Sequence, residues 1–253
     1  ATGERGREAA QAMASITADA VGCPASEVLV ASTGVIGVHL PLEPFRAGVP
    51  AAVAAATRVG GAAAARAIMT TDTRPKECAV TFDGDDVGYP GARFTVGAMA
   101  KGSGMIMPDM ATMIAVVTTD APVLAADLAP ALRAAADASF NRVTVDSDTS
   151  TNDTCFALAS GAAAPDGPAF TSGMPAFDAF QRALDQLATT LARKMAADGE
   201  GATRLITVTV RGAATADDAD AAVAEDDAVL VYNNVNPKAV LALAIAFLAC
   251  AFA

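Results

Sequence analysis

Residues 101–120 read Lys101-Gly-Ser-Gly-Met-Ile-Met-Pro-Asp-Met-Ala-Thr-Met-Ile-Ala-Val-Val-Thr-Thr-Asp120, a glycine-rich approach followed by an apolar run. Gly102 and Gly104 permit backbone angles that are closed to other residues, and Pro108 restricts the approach. The apolar residues 113–118 have the composition of a short strand. The segment therefore predicts a tight turn that leads the chain into a sheet.

Thr112 lies where this turn meets the predicted strand. A threonine hydroxyl is a poor nucleophile because almost none of it is ionised at neutral pH. Cutting the preceding peptide bond would free an α-amine, with a pKa of about 8, that can act as its base. A strained Ala111–Thr112 bond would let the hydroxyl attack the preceding carbonyl. The alternative interpretation is a glycine loop before a core strand.

Helix and strand patterns alternate along the chain, which predicts an α/β or α+β layered architecture. The predicted helices span residues 4–20, 50–66, 120–139 and 175–198. The predicted strands span residues 27–32, 78–82, 92–99, 113–118, 142–145, 155–160 and 204–211. The second and third of these strands form a hairpin around an Asp-Gly turn.

The composition excludes several function classes. A hydrophobic content of 53% with 18% charged residues indicates a globular chain, and the net charge of −11 argues against nucleic-acid binding. The single histidine, His39, lies in Val-His-Leu-Pro and has the context of a loop rather than a base. Neither a metal centre nor a cofactor is predicted. The four cysteines are scattered without metal-ligand spacing, which indicates free thiols and a cytoplasmic location.

The two ends of the sequence indicate no membrane attachment. The first residues are polar, unlike a secretory signal. Residues 239–253 are apolar but shorter than the roughly 20 residues of a spanning helix. A buried helix or strand is therefore predicted there rather than an anchor.

Four further motifs are ordinary turns when each is taken alone. Their sequences are Ser32-Thr33-Gly34, Met69-Thr-Thr-Asp-Thr-Arg-Pro-Lys76, Asp198-Gly-Glu-Gly-Ala-Thr203 and Phe140-Asn-Arg-Val-Thr-Val-Asp-Ser-Asp-Thr-Ser-Thr-Asn-Asp-Thr154. Backbone N–H groups at the end of a strand, as in the first motif, can stabilise an oxyanion. The acidic residues of the last motif do not have the spacing of a calcium loop.

Taken together and in order, these motifs and the 101–112 string resemble the ornithine acetyltransferase family. The resemblance implies that the Ala111–Thr112 bond cuts itself and that Thr112 then carries an acetyl group. It also implies that Thr33 and Gly34 form the oxyanion hole.

The resemblance further implies a substrate site. It assigns substrate contacts to Thr70, with Thr73 as the alternative, to Lys101, to Thr112 and to Glu200. In the acidic loop, residues 152–153 (Asn-Asp) are the favoured functional members. The lysine head suits a substrate carboxylate.

The implied reaction moves acetyl from N-acetylornithine to glutamate by a ping-pong cycle, and some members of the family also accept acetyl-CoA. The implied fold is a layered α/β/β/α sandwich whose two fragments associate as a heterotetramer. The predicted division of the chain is residues 1–111, 112–212 and an atypical tail, 213–253. The family's segments before residue 1 and after residue 212 are not found in this sequence.

Two alternatives to this function stay open. One is a related self-processing hydrolase or antibiotic-pathway acyltransferase that uses the same nucleophile on another acyl substrate. The other is an inactive, truncated scaffold that keeps the family's sequence without its activity.

Overall fold

A computed structural model describes residues 3–35, 37–106, 113–146, 148, 150–215, 218 and 230–233, the last four by their backbone. The helices are α1 (Gly3–Val21), α2 (Glu43–Ala54), α3 (Gly61–Ala67), α4 (Ala125–Asp137) and α5 (Pro175–Ala197). The strands are β1 (Lys76–Asp83), β2 (Arg93–Lys101), β3 (Ile114–Thr119), β4 (Thr154–Ala159), β5 (Thr207–Val210) and β6 (Leu230–Asn233). The predicted α/β class is confirmed.

The main sheet has the order β1-β2-β3-β4. Its first two junctions are antiparallel, whereas β3 and β4 run parallel. The register pairs Lys101 with Ile114 and Ile114 with Thr154. The last residue of β2 therefore pairs with the first residue of β3, which in turn pairs with the first residue of β4. A second, parallel pair consists of β5 and β6.

Helix α5 covers the sheet because its apolar residues recur at helical spacing. It begins at Pro175, a residue suited to a first helical turn because it needs no N–H partner there. Its apolar stripe is at most 2% exposed and packs against β1, β2 and α4. The stripe consists of Phe180, Leu184, Leu187, Leu191 and Met195. Burying one such side chain contributes about 1.5–3 kcal/mol, so this stripe fixes where the helix lies.

An aromatic corner closes the end of the β1–β2 hairpin. The ring centroids of Tyr89 and Phe170 are 4.9 Å apart, and those of Phe94 and Phe170 are 5.0 Å apart, both edge-on. The Tyr89 hydroxyl donates a hydrogen bond to the Pro168 carbonyl at 2.6 Å. This corner anchors the end of the sheet opposite Lys101.

Three sequence-based predictions of elements are wrong. Residues 27–32 form no strand; a 3-10 turn at Ala25–Glu27 precedes an irregular segment. The predicted helix 50–66, for which the Gly60-Gly61 pair was the candidate interruption, begins earlier, at Glu43, and is divided into α2 and α3, the second beginning at Gly61. Residues 142–145 form no strand, because the Val145 N–H donates to the Ile106 carbonyl at 2.7 Å instead of to a ladder.

Several predictions fall on residues that the structure does not describe. They are the Ala111–Thr112 bond, with Thr112 itself, and the apolar tail 239–253. Among the described residues, no helix is long and apolar enough to cross a membrane. The three described cysteines, Cys23, Cys78 and Cys155, are free thiols as predicted.

Candidate functional site

Lys101 is the last residue of β2 and is only 3% exposed. Burial lowers the pKa of its ammonium group, and the charge of Lys76 lowers it further. The carboxylates of Asp72 and Asp153 act in the opposite direction. Lys101 is therefore a buried lysine whose ammonium group is influenced by two carboxylates, at the residue that pairs with the first residue of β3.

A second buried lysine, Lys76, joins two distant parts of the chain. Its side chain is fully buried, and its Nζ lies 2.6 Å from Asp72 Oδ1 and 2.6 Å from Asp198 Oδ2. A buried ion pair tolerates the loss of water only when its remaining polar atoms are also hydrogen bonded. Both carboxylates meet that condition.

The Asp72 carboxylate ties the end of β2 to the segment before β1. Its Oδ1 accepts the N–H of Gly102 at 2.8 Å, and its Oδ2 accepts the N–H of Thr70 at 3.2 Å. Burial raises the pKa of Asp72, but the hydrogen bonds from Gly102, Lys76 and Thr70 outweigh it and hold the pKa below its ordinary value. Asp72 is therefore an anion that fixes the turn beginning at Gly102.

The Asp198 carboxylate makes the corresponding contacts at the end of α5. It accepts the N–H of Thr73 at 3.0 Å and the hydroxyl of the same residue. Burial raises the pKa of Asp198, yet the hydrogen bonds from Lys76 and Thr73 lower it to about 2. Asp198 is thus an anion held by Thr73 and Lys76.

The turn after Lys101 lies against the Asp198–Glu200 segment. The Ser103 hydroxyl donates to the Asp198 carbonyl at 2.7 Å, and the Glu200 N–H donates to the Ser103 carbonyl. A Cβ atom on Gly104 would collide with a carboxylate oxygen of Glu200. The absence of a side chain at residue 104 therefore lets the exposed Glu200 carboxylate lie over the turn.

Asp146 holds the next two residues of the approach. Its carboxylate accepts the N–H of Met105 and, at 2.8 Å, the N–H of Ile106. Met105 has a φ of 57°, a left-handed conformation that costs a non-glycine residue roughly 1–2 kcal/mol. The Ile106 carbonyl accepts the N–H of Val145 at 2.7 Å and the hydroxyl of Thr144 at 3.1 Å. The chain is thus fixed immediately before residue 107.

Asp153 and Thr154 hold the chain again immediately after residue 112. Asp153 Oδ1 accepts the N–H of Met113 at 2.7 Å, and the Thr154 N–H donates to the Met113 carbonyl at 2.9 Å. The second oxygen, Asp153 Oδ2, is buried without a hydrogen-bond partner among the described residues. Burial raises the pKa of Asp153 to about 6, although the Met113 N–H and the charge of Lys101 lower it.

Comparison with known proteins shows which family this chain belongs to. The ArgJ family model matches residues 1–229. The chain belongs to the ArgJ family. This confirms the resemblance that the motifs indicated.

Named relatives of this ArgJ-family chain support the assignment. The arginine biosynthesis bifunctional protein ArgJ of Symbiobacterium thermophilum is 53% identical over 86% of this chain and 52% of its own length. That of Geobacter sulfurreducens is 47% identical over 87% of this chain and 54% of its own length. The chain therefore spans about half the length of these relatives. The crystal structure of the Bacillus halodurans protein of that name aligns at 38% identity, with a TM-score of 0.39, over 43% of this chain and 49% of that one.

Of the predicted substrate residues, the structure brings Lys101 and Glu200 to the same turn. Thr70 donates its backbone N–H to Asp72, and the residue is exposed. Its alternative, Thr73, contributes both N–H and hydroxyl to Asp198.

The predicted oxyanion residues Thr33 and Gly34 lie in the irregular segment between α1 and α2, which pack against each other. A Cβ atom on Gly34 would lie 3.4 Å from Leu40 Cδ2, and His39 of the same segment is exposed. In the part of the chain that the structure describes, the hydrogen bonds that hold the turn after Lys101 come from other segments. The assignment of Thr33 and Gly34 to the site stays a prediction.

Sequence reasoning missed three of the groups that build the site: Lys76, Asp72 and Asp146. Each lies inside a motif that was singled out for another residue. Asp72 and Lys76 are four residues apart, but residues 72–76 are not helical, so this spacing was no signal of their pairing. The third partner, Asp198, is 122 residues from Lys76, and the sequence carries no local sign of that contact.

Proposed function

We propose that this chain is the nucleophile-bearing part of an ArgJ acetyltransferase. The Ala111–Thr112 bond cuts itself, and Thr112 then takes acetyl from N-acetylornithine and passes it to glutamate. The observation that carries the proposal is the pairing of Lys101 with Ile114. It brings Lys101 beside the strand that begins two residues after Thr112, although Lys101 and Thr112 are eleven positions apart in sequence.

The cutting step needs no group from outside the chain except water. The Thr112 hydroxyl oxygen bonds to the Ala111 carbonyl carbon, the C–N bond breaks, and the hydroxyl proton passes to the nitrogen. Water then hydrolyses the resulting ester. The products are a carboxylate at Ala111 and a free hydroxyl and α-amine at Thr112. Anchoring at Ile106 and Met113 supports this step because it limits the movement of the bond between them.

Acetyl transfer uses the same hydroxyl. Thr112 attacks the acetyl carbonyl of N-acetylornithine with its own α-amine as base, ornithine leaves, and glutamate takes the acetyl group from the threonine ester. Lys101 suits a substrate carboxylate and Glu200 suits a substrate ammonium group. Thr70 makes a further substrate contact, and the Thr33–Gly34 backbone supplies the oxyanion hole. Acetyl-CoA is a second candidate donor.

The two fragments are proposed to stay together in a cytoplasmic heterotetramer. The buried contacts of Lys76 with Asp198 support their association, since this pair bridges the two sides of the cut. Size-exclusion chromatography with light scattering under native conditions measures the assembly.

Denaturing mass spectrometry tests the cutting step. The wild-type chain should yield two fragments that meet between Ala111 and Thr112, whereas Thr112→Ala should stay whole and Thr112→Ser should cut. A whole wild-type chain would overturn the proposal.

Release of ornithine from N-acetylornithine, with and without glutamate, then tests the transfer. Transfer lost in Thr112→Ala and weakened in Lys101→Met supports the assignment. A chain that cuts but releases ornithine at the same rate without glutamate is a hydrolase.

A further inference from the structure

We propose that Asp72 is a positioning residue of the substrate site. Its carboxylate holds the segments of Thr70 and Lys101, two of the predicted substrate contacts, at a fixed spacing, and it supplies negative charge that offsets the burial of the Lys101 ammonium group. That Lys101 meets a substrate carboxylate rests on the proposed function. The role of Asp72 goes beyond it, because the predicted substrate and oxyanion roles assign nothing to this residue.

The first argument is the set of groups that the Asp72 carboxylate joins. Its Oδ2 accepts the N–H of Thr70 at 3.2 Å, in the segment before β1. Its Oδ1 accepts the N–H of Gly102 at 2.8 Å, from the residue that follows Lys101 and lies 30 positions from Asp72. One side chain therefore sets the spacing between two segments that each carry a predicted substrate contact.

The second argument is that the Asp72 carboxylate is itself held in place. The residue is 8% exposed, and its Oδ1 also lies 2.6 Å from Lys76 Nζ. A buried side chain that is bound by three donors can fix the groups attached to it. Because Asp198 is a second anionic partner of Lys76, pairing with Lys76 does not explain why Asp72 also reaches Thr70 and Gly102.

The third argument is the charge balance around Lys101, which is 3% exposed. Burial lowers the pKa of Lys101 because an ammonium group loses its water. Among the described residues, the charges that act on it are those of Asp72 and Asp153, which raise the pKa, and of Lys76, which lowers it. Asp72 has the larger effect of the two carboxylates. Its own pKa is held below the ordinary value, so it is an anion at neutral pH.

The proposal has a consequence for substrate binding. A substrate carboxylate is bound well by a charged lysine and poorly by a neutral amine. Removing the charge of Asp72 should lower the pKa of Lys101, so that a smaller fraction of Lys101 is charged as the pH rises. The affinity for N-acetylornithine should then fall with rising pH, while substrate that is already bound reacts at a similar rate.

The test measures the charge of Lys101 directly by NMR, in purified full chains labelled with carbon-13 at the ε-carbon of lysine. The sequence contains four lysines, so the spectrum has few signals; they are Lys76, Lys101, Lys194 and Lys238. The signal that is missing in Lys101→Met identifies Lys101. We expect the pKa of Lys101 to fall by about one unit in Asp72→Asn, the usual effect of a neighbouring charge.

Asp83→Asn is the matched control for this variant. It removes a carboxylate from the far end of the same hairpin, where Asp83 pairs with Arg93 and is 69% exposed. The pKa of Lys101 should match wild type in this variant. In Asp72→Glu, which keeps the negative charge, it should lie closer to wild type than in Asp72→Asn.

Initial rates of ornithine release across a range of pH provide the second measurement. In Asp72→Asn we expect the KM for N-acetylornithine to be about tenfold higher at about pH 8, the loss of one charged contact, and to rise further with pH. The ratio of kcat between this variant and wild type should change much less than the ratio of KM. A lower kcat with an unchanged KM would overturn the positioning role in substrate binding.

Asp72→Asn leaves Lys76 with Asp198 as its partner, so the buried charges of that pair stay balanced. If the variant does not fold, Asp72→Ser replaces it as the neutral variant. A pKa of Lys101 that is the same in wild type and in the neutral variant overturns the proposal, and so does a wild-type Lys101 that is uncharged at about pH 7, far below the ordinary lysine value. A wild type that releases no ornithine overturns the proposed transfer alone, because the NMR measurement does not depend on activity.

Discussion

Lys76 Nζ lies 2.6 Å from Asp198 Oδ2, and this contact joins the start of β1 to the residue that follows α5. Asp72 completes the group at the same distance from the ammonium. The three charges are buried, so the group stabilises the fold only while all three are present, because a buried charge without its partner is costly. It holds both the turn after Lys101 and the segment that carries Glu200.

Replacing Lys76 with methionine should destabilise the chain by about 3–5 kcal/mol, the usual cost of leaving buried charges without their partner. The two carboxylates would remain buried without their ammonium group. Equilibrium unfolding in urea, monitored by circular dichroism, measures the change.

Arg46→Met is the matched control for this variant, because it removes a cation from an exposed pair with Glu43 at 3.1 Å. Exposed pairs contribute about 0–1 kcal/mol, so this variant should unfold close to wild type. Equal losses in the two variants would show that burial of Lys76 has no special role.

Asp198 should make the chain sensitive to acid. Its pKa is about 2 in the folded chain, below the ordinary 3.8, so the unfolded chain binds more protons between these values. Its stabilising contribution is present above about pH 4 and is lost as the pH falls towards about 2. This difference in the pKa of Asp198 corresponds to on the order of 2 kcal/mol in the free energy of unfolding. Urea unfolding across this range should show the loss in wild type and a flatter dependence in Asp198→Asn.

The control for acid sensitivity is Asp166→Asn, which removes an exposed carboxylate. It should keep the wild-type dependence on pH. If the stability of wild type and of Asp198→Asn fell in parallel with falling pH, Asp198 would not be the source of the acid sensitivity.

The sequence predicted the elements whose signals are local. The hairpin of β1 and β2 follows from two β-like runs around Asp83-Gly84, and α5 follows from apolar residues at helical spacing. The strand expected at 27–32 failed because the segment pairs with no described strand; Leu29 is 55% exposed, and Val28 and Val30 are only half-buried. A strand needs a neighbouring strand, and a local pattern does not reveal whether one is present.

The residues of the candidate site also divide into those with a local sequence signal and those brought together only by packing. Lys101 and Glu200 were predicted from the motifs, and the structure places both beside the turn at Gly104. The pairing of Lys76 with Asp198 depends on tertiary packing across 122 positions. One Asp153 oxygen has no hydrogen-bond partner among the described residues, and this too is a product of packing that only the three-dimensional structure reveals.

Gly104→Ala should weaken substrate binding more than it weakens the fold. Its new methyl group would meet a carboxylate oxygen at the flexible end of Glu200, so the side chain should move while the backbone stays. We expect a stability change under about 1 kcal/mol and a KM for N-acetylornithine raised about tenfold, the loss of one charged contact. Initial rates of ornithine release measure the latter.

Gly61→Ala is the control for this substitution. Gly61 begins α3, and a Cβ atom there would meet nothing within 4 Å. Alanine favours a helix over glycine, so this variant should be at least as stable as wild type and keep its KM. A Gly104→Ala enzyme with unchanged KM would remove Glu200 from the substrate site.

Asp146→Asn should slow the proposed cut at the Ala111–Thr112 bond. Asparagine offers one acceptor oxygen where Asp146 uses two for the N–H groups of Met105 and Ile106. Met105 would then be free to leave its left-handed conformation, which is costly for a side-chain-bearing residue. The approach to the bond would loosen, and we expect cutting to slow by about three- to tenfold, or about 1 kcal/mol of lost positioning.

The decisive comparison is between the two anchors of the same loop. Asp146 holds residues before the 107–112 segment and Asp153 holds the residue after it, so Asp146→Asn and Asp153→Asn should both cut slowly. A slow cut in only one of the two variants would mean that the segment needs to be held from one side only. An unchanged cutting rate in Asp146→Asn would mean that the approach does not need this anchor.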